Sequence, residues 1–599
     1  MQKTKNDTNS KKNNLKQLWG VLNQQQKKNI VTLIIYSIIT GILDLLSIGL
    51  IIPYVGIISG GGLESHKFFE IFAKIAPNSV SLLSISSISA VFIIILITAI
   101  LARIAILHYS TKITFEIGAE LARDLIKKWI FLDYQAKKET DSAEVVTLLN
   151  TKVNDVILNV IFPSITLASA LIFSLMISLY LFYLVPDLTV LMLVIVLLAY
   201  SIIAFIQKNK VNKLSKVVAD SQHKATKVLI DILTASKEII INKKQDAFTS
   251  KFSDESKKYR SAQGEIMFLA YSPRYILEGV GVALMIAITN ILIIQKSPIE
   301  VFAIMGTIAL GVQKLLPNLQ QAYSSITLIK GSQNTIKDFL KMWGQSSDID
   351  FTGKIDLKYT RNFSVTIKSF RYKNIEILRD INLVIPKNTS VALIAPSGAG
   401  KSTIVDALLG FLNSEDIRVA VDEKTITPEY FESWRGLISY LPQSMYIYDT
   451  DVISNITCYG PSVVDAVRLK LALEITEISD NFGFCLSTHL VGDNGSKLSG
   501  GQRQRIGLAR AIYSDRPIII LDEATNALDM AAEKAIISKI VSMSGKTLFA
   551  ITHRLELLNV FDRIAYINSQ KFVISGILDE MILCDSEFKR FVTSGEKSH

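Results

Sequence analysis

"SVALIAPSGAGKSTIVDALLG", residues 390–410, decides the fold of the half of the chain that contains it. An apolar, β-rich run leads into a glycine-rich turn, and the turn leads into an amphipathic helical segment. Glycines let a backbone wrap a phosphate chain, so that its N–H groups point at the oxygens. The spacing predicts that Lys401 reaches the β- and γ-phosphates and that Ser402 holds Mg²⁺. Ala395, Pro396, Ser397, Gly398, Ala399, Gly400, Lys401, Ser402 and Thr403 are therefore candidate ATP-binding residues. Ala395 stands where the pattern GxxxxGK[ST] has its first glycine. Alanine tolerates many turn geometries but not a strongly positive φ. Binding is expected to survive, because the inner SGxGKST is intact.

"RPIIILDEATNALD" (516–529) supplies the second half of such a site. Its apolar run reads as a central strand buried on both faces. Asp522 at the strand end can order the Mg²⁺ shell, and Glu523 beside it is placed to polarise an attacking water. Strand-like and helix-like patterns alternate around both motifs, which predicts an α/β P-loop NTPase domain over 361–599.

The preceding half differs in kind. The chain has 599 residues, of which 49% are hydrophobic, and its mean hydropathy is +0.34. That length allows several domains. Long apolar runs crowd before about Lys330, and six spans can be drawn at 29–56, 83–108, 157–183, 188–207, 268–294 and 299–326. They predict an α-helical transmembrane domain over 29–330. Residues 1–28 carry Lys3, Lys5, Lys11, Lys12, Lys16, Lys27 and Lys28 against Asp7. Segments 109–156 and 208–267 are long, charged and helix-periodic, whereas the other connections are short or nearly neutral. Positive charge thus assigns both termini and the two long segments to the cytosol. "LESHKFFEIFAK" (63–74) reads either as a short amphipathic helix on the outer surface or as an ordered loop. The polar stretch 331–360 suits a linker. Net charge is +10, but the lysines lie beside apolar spans, so no nucleic-acid partner is expected. Cys458, Cys485 and Cys584 have neither metal spacing nor an even framework, and read as reduced cytosolic thiols. The polar N-terminus precedes an apolar run without a small-residue cleavage site, so no cleaved signal peptide is expected.

"KLSGGQRQRIGLARA" (497–511) resembles the signature of ATP-binding cassette (ABC) transporters. Six spans followed by one nucleotide domain resemble a half-size ABC exporter over the whole chain. The resemblance implies roles for further residues. Tyr372 in "FRYKN" would stack on adenine, and residues 1–28 would include an elbow helix. Gln443 in "YLPQSMY" would touch Mg²⁺ and link the site to the membrane part. His553 in "AITHRL" would contact the γ-phosphate, and Asp529 in "NALD" would lie on the loop between two nucleotide domains. Asn526 departs from the common serine. Ser499, Gly500, Gly501 and Gln502 would face ATP held by the partner's Lys401, because a helix start favours anionic phosphate. One chain then cannot complete a site, which implies a homodimer with two ATPs at a two-fold interface. Arg503 and Arg505 read as packing or solvated charges. Short helices near Asp133–Lys138 and Lys243–Phe252 would couple the domains.

Three cations interrupt the apolar spans: Arg103, Arg274 and Lys314. At a rise of about 1.5 Å per residue, Lys314 lies about 24 Å and Arg103 about 30 Å from the outer ends of their spans. Arg274 lies about 9 Å from its inner end, so all three fall in the cytoplasmic half of a core about 30 Å thick. Each costs roughly 2.5–3.5 kcal/mol to insert, which spans rich in Leu, Ile, Val and Phe tolerate. Arg103 can snorkel, Arg274 can pair with Glu278, and Asp44 can serve any of them as counter-ion. The functional reading is an anionic head group such as a pyrophosphate. "DLLSIGLIIPYVGIIS" (44–59), "SPRYILEGVG" (272–281) and "QKLLPNLQQAYSS" (313–325) resemble the lipid-linked oligosaccharide flippase branch of bacterial exporters. That resemblance implies an ATP-driven flippase for a polyprenyl-pyrophosphate-linked oligosaccharide in the bacterial cytoplasmic membrane. The alternative cargo is a peptide, bacteriocin or hydrophobic drug. A peptide exporter that trims its own cargo is disfavoured, since no cysteine-protease segment precedes the spans. A soluble DNA-associated ATPase with the same cassette is excluded if the spans insert.

Overall fold

The computed structural model describes residues 14–49, 85–295, 298–345, 356–372, 375–396, 398–412, 414–458, 464–482, 486–487, 490–568 and 573–595. The expected surface helix at 63–74, Ser397 and Cys485 lie outside them. The chain divides into two units, Met1–Leu132 with Ala136–Ser347, and Asp133–Gln135 with Asp348–His599.

The first unit is helical. Its main helices are α1 (Gln24–Gly49), α2 (Ile85–Ile130), α3 (Phe162–Leu184), α4 (Pro186–Thr234), α5 (Gln245–Tyr271), α6 (Pro273–Gln295), α7 (Pro298–Gly331) and α8 (Gln333–Gln345). Among the described residues, five segments are long and apolar enough to cross a membrane: Gln24–Ser47, Ser89–Ile130, Ala143–Tyr183, Pro186–Thr234 and Gln245–Asn290. The sixth expected run, 299–326, falls on α7. Prolines open α4, α6 and α7, where a missing N–H costs nothing and φ is already helical. No proline interrupts 109–130 or 208–234, so α2 and α4 run on past their apolar stretches into charged sequence. A helix satisfies its own backbone, and only its side chains register the change of solvent.

The expected linker is shorter than 331–360. Residues 333–345 form α8, whose Ile336 and Phe339 are fully buried within the first unit. Lys152, itself buried, donates to Asp338 on α8 at 2.5 Å. Apolar side chains three apart were hidden among the polar residues of that stretch, and one buried face is enough to seat a helix.

The described residues of the second unit form two sheets. β1 (Asn362–Tyr372), β2 (Ile375–Pro386), β4 (Ile417–Val421) and β5 (Lys424–Thr425) form an antiparallel sheet in the order β2-β1-β4-β5. The larger sheet runs β10-β9-β3-β8-β7-β6, with β3 (Ser390–Ile394), β6 (Ile438–Leu441), β7 (Ile518–Asp522), β8 (Thr547–Ile551), β9 (Arg563–Ile567) and β10 (Val573–Gly576). All of its pairings are parallel except that of β10 with β9. Ile518 and Ile520 join one core, against the antiparallel sheet, while Ile519 and Leu521 join the core on the opposite face. That alternation within an all-apolar run is what a strand covered on both sides requires. Because β3, β7 and β8 are parallel neighbours, the chain leaves all three at the same edge of the sheet, where such folds bind ligands. Residues 395, 523 and 552–553 follow those ends.

Candidate functional site

The phosphate loop leaves β3 at Ala395 and enters helix α9 (Lys401–Leu408) through Gly400. Ala395 is not among the described residues with positive φ, and its methyl group is buried in the core. The departure from glycine therefore introduces no backbone strain. Left-handed geometry falls instead on Gly398 (φ +78°) and Gly400 (φ +97°). A Cβ at Gly398 would meet nothing within 4 Å, so the loop is open there. At Gly400 it would lie 2.7 Å from Leu378 Cδ2. Gly400→Ala is expected to cost about 1–2 kcal/mol of backbone strain, weakening ATP binding about tenfold in a nucleotide titration.

Lys401 is buried, and its ammonium donates to the carbonyls of Ala395 (3.1 Å) and Pro396 (3.4 Å), which holds it across the loop. Burial pulls its pKa down, and the charges of Glu523 and Asp522 work against that. Asp522 is buried at the end of β7, where burial and then the charges of Glu523 and Asp406 raise its carboxyl pKa. Ser402 and Thr403 lie in the first turn of α9.

Glu523 adopts φ +49°, an unusual conformation for a side-chain-bearing residue, which turns it sharply out of the strand. Its Oε2 accepts from Gln443 Nε2 at 2.8 Å, and its Oε1 meets His553 Nε2 at 2.5 Å. Two further sequence-expected residues, from two other segments, thus converge on its carboxylate. Tyr372 ends β1 on the other sheet and is exposed.

Ser499 caps helix α10 (Gly500–Tyr513). The Gln502 N–H donates to Ser499 Oγ at 3.2 Å, and Gln502 Oε1 accepts from the Ser499 N–H at 3.0 Å, a reciprocal capping box. The serine hydroxyl keeps its own proton to donate. A Cβ on Gly500 or Gly501 would press within 3.2–3.3 Å of Ala527, so this turn packs on the 525–528 loop. Gln504 Oε1 accepts from the Ala527 N–H at 2.7 Å. Asp529 caps helix α11 (Met530–Val541), accepting from the Ala532 N–H at 2.8 Å. Arg505 is structural: buried, it donates to Thr476 O at 2.6 Å and to Glu477 at 3.1 Å.

Sequence reasoning missed the group that fixes the 525–528 loop. Glu533 is fully buried and accepts from Thr525 Oγ1 and from Arg554, while Arg554 also donates to Asn526 O (3.2 Å) and Leu528 O (3.0 Å). Arg554 adjoins His553, so the same backbone segment holds both. A glutamate on an otherwise apolar helix face, five positions after the buried Leu528, was the available signal. Glu533→Ala leaves Arg554 without its buried partner and is expected to destabilise this unit by about 3 kcal/mol, read as a lower midpoint in denaturant.

In the first unit, α1, α2 and α7 bring together groups far apart in sequence. Asp44, only 3% exposed, accepts from Arg103 Nε at 2.6 Å and from Lys314 Nζ at 3.4 Å. Lys314 also donates to Ser47 Oγ at 3.2 Å. Two cations therefore share one carboxylate, and the cluster is formally positive. Arg103 and Lys314 line a cavity of about 540 Å³ whose other walls include Ser110, Thr166, Ser169 and Gln321. Hydroxyl contacts stitch the walls: Ser37 to Ser169 at 2.7 Å and Thr166 to Ser325 at 3.1 Å. In α7, Pro317 removes an N–H from the helix interior, and the Asn318 side chain donates to Lys314 O at 2.7 Å beside it. Arg274 does not line the cavity. Its Nε donates to Glu278 Oε1 at 2.7 Å, one turn on along α6, and both side chains are exposed.

Residues 378–526 match the family model described as ABC transporter, and residues 22–297 match the model for the ABC transporter transmembrane region. The chain is 36% identical over 212 residues to the "ATP-dependent lipid A-core flippase" of Ralstonia nicotianae, an alignment covering 34% of this chain and 36% of that protein. It is 33% identical over 218 residues to the "Transport/processing ATP-binding protein ComA" of Streptococcus pneumoniae, covering 35% and 30% respectively. With the "Heterocyst differentiation ATP-binding protein HepA" of Nostoc sp. it shares 32% over 289 residues, 45% of each chain. The chain thus spans less than half the length of these curated relatives. A solved structure, titled "Structure of a bacterial Atm1-family ABC exporter with ATP bound", aligns over 96% of this chain and 99% of its own with a TM-score of 0.77 and 18% identity, a likeness of fold. With both matches in one chain, in the order membrane region then nucleotide domain, the protein belongs to the ABC transporters.

Proposed function

We propose that two copies of this chain hydrolyse ATP to move a lipid-linked anionic glycan across a bacterial cytoplasmic membrane, with the nucleotide domain in the cytosol. Lys401 offsets phosphate charge, and the loop open at Gly398 admits it. Ser402, Gln443 and Asp522 offer oxygen donors that suit Mg²⁺, a hard cation. Among the described residues no cluster of acids, histidines and cysteines could hold a metal alone, which fits an ion that takes its remaining ligands from phosphate and water. Bound there, it would neutralise phosphate charge. Glu523 takes the proton of the attacking water, and Gln443 and His553 orient that carboxylate. Ser499, as a helix cap with a free hydroxyl proton above a glycine pair, is suited to meet the phosphate held by a second copy.

The observation that carries the cargo reading is the meeting of Arg103 and Lys314 over Asp44 in one cavity. The name of the Ralstonia nicotianae relative, a lipid A-core flippase, points the same way. The test is reconstitution in liposomes with a polyprenyl-diphosphate-linked oligosaccharide. ATP-dependent transfer between leaflets is expected. Robust ATP hydrolysis without transfer would defeat the lipid reading. The similarity to ComA makes peptide export the second reading, and it takes over if peptide, not lipid, is moved in the same vesicles.

A further inference from the structure

We propose that a groove between α1 and α2 holds the hydrocarbon chain of the same lipid whose diphosphate lies at Arg103 and Lys314; this rests on the cargo reading above. The groove encloses about 470 Å³, and Ile106 lines both it and the cationic cavity. The division follows from helix geometry. Arg103, Leu107 and Ser110 line the cavity, while Ala102, Ala105 and Tyr109 line the groove. Each set recurs at three or four residues, so the two occupy neighbouring stripes of α2, with Ile106 on the ridge between them.

The chemistry of the two spaces is complementary to an amphiphile. One is formally cationic and rich in hydroxyl and amide groups. The other is walled mainly by α1 and α2 aliphatic and aromatic side chains such as Tyr36 and Ile39, with Asn29, whose Oδ1 accepts from Gln25 Nε2 at 3.1 Å, among its lining residues. Its threonines do not present hydroxyls: Thr32 donates to Lys28 O at 2.9 Å and Thr40 to Tyr36 O at 3.0 Å, both within α1. Ala102 and Ala105 line the groove with small side chains, which leaves room for a hydrocarbon chain. A chain leaving the head site can therefore cross the Ile106 ridge without meeting charge.

The test uses the full-length protein in nanodiscs, with ADP saturating the nucleotide sites. The probe is farnesyl diphosphate carrying a diazirine at the far end of its chain, and labelled peptides are mapped after irradiation. Adducts are expected on residues 32–40 and 102–113, reduced at least tenfold by excess inorganic pyrophosphate and by Arg103→Ala with Lys314→Ala. Adducts that pyrophosphate suppresses but that fall elsewhere would overturn the groove while leaving the head site standing. Adducts in the groove that neither pyrophosphate nor the double variant reduces would sink the head site and the proposal with it. A groove filled by a second copy of the chain would leave α1 and α2 unlabelled, which also overturns it. As an independent measure, Ala105→Trp should weaken farnesyl diphosphate binding at least tenfold and leave pyrophosphate binding unchanged; equal binding of both probes refutes the assignment.

Discussion

Glu523→Gln is expected to lower steady-state ATP hydrolysis at least about 100-fold, the usual contribution of a positioned general base, while nucleotide still binds. The glutamine is nearly isosteric, and the backbone at φ +49° is held by the strand pairing before it and by the Glu523 N–H donating to Ile551 O at 3.2 Å. What changes is chemistry. An amide oxygen is a poor proton acceptor, and the charge that Gln443 and His553 flank is gone. Phosphate release and a nucleotide titration on the same preparation separate the two effects. Retention of more than a tenth of the rate would show that the base lies elsewhere. Loss of binding would show instead that the carboxylate supports the loop.

Lys314→Glu should abolish transfer of an anionic lipid. The cluster of Arg103, Lys314 and Asp44 is formally +1 as found and would become −1, with the new carboxylate beside Asp44. Like charges facing a ligand cost several kcal/mol, so a drop of about 100-fold or more in transfer per ATP hydrolysed is expected. Arg274→Glu is the contrast. That arginine is exposed and paired with Glu278 on its own helix, and such a pair is worth about 0–1 kcal/mol. Its reversal should change transfer by no more than a few-fold. Equal losses from both would return Arg274 to the site and dissolve the distinction the cavity draws.

The two sites were legible to different degrees. At the nucleotide site each motif is a local solution to a local problem: glycines where backbone must approach phosphate, an apolar run where a strand has two covered faces, an acid where that strand ends. Those requirements leave marks within a few residues, so Lys401, Asp522 and Glu523 could be picked out as candidates. The clamp of Glu533 and Arg554 leaves no such mark. Its members are 21 residues apart and become partners only when α11 packs under the loop that follows β8. Helix α8 was hidden for the complementary reason: its buried face is short, and the polar residues around it outweigh it in any window.

Chain chemistry alone thus determined that one half is a membrane-crossing helical unit and the other a phosphate-binding α/β unit, because hydropathy and backbone turns are properties of short stretches. Which groups meet was left to tertiary structure. Parallel pairing of β3, β8 and β7 gathers the phosphate loop, His553 and Glu523 on one edge, and packing of α1, α2, α3 and α7 puts Arg103 and Lys314 on Asp44 while leaving Arg274 outside. Depth along a helix follows from counting residues, but azimuth relative to neighbouring helices follows from how side chains interlock, and that is why three cations at similar depth became two in a cavity and one on a helix surface.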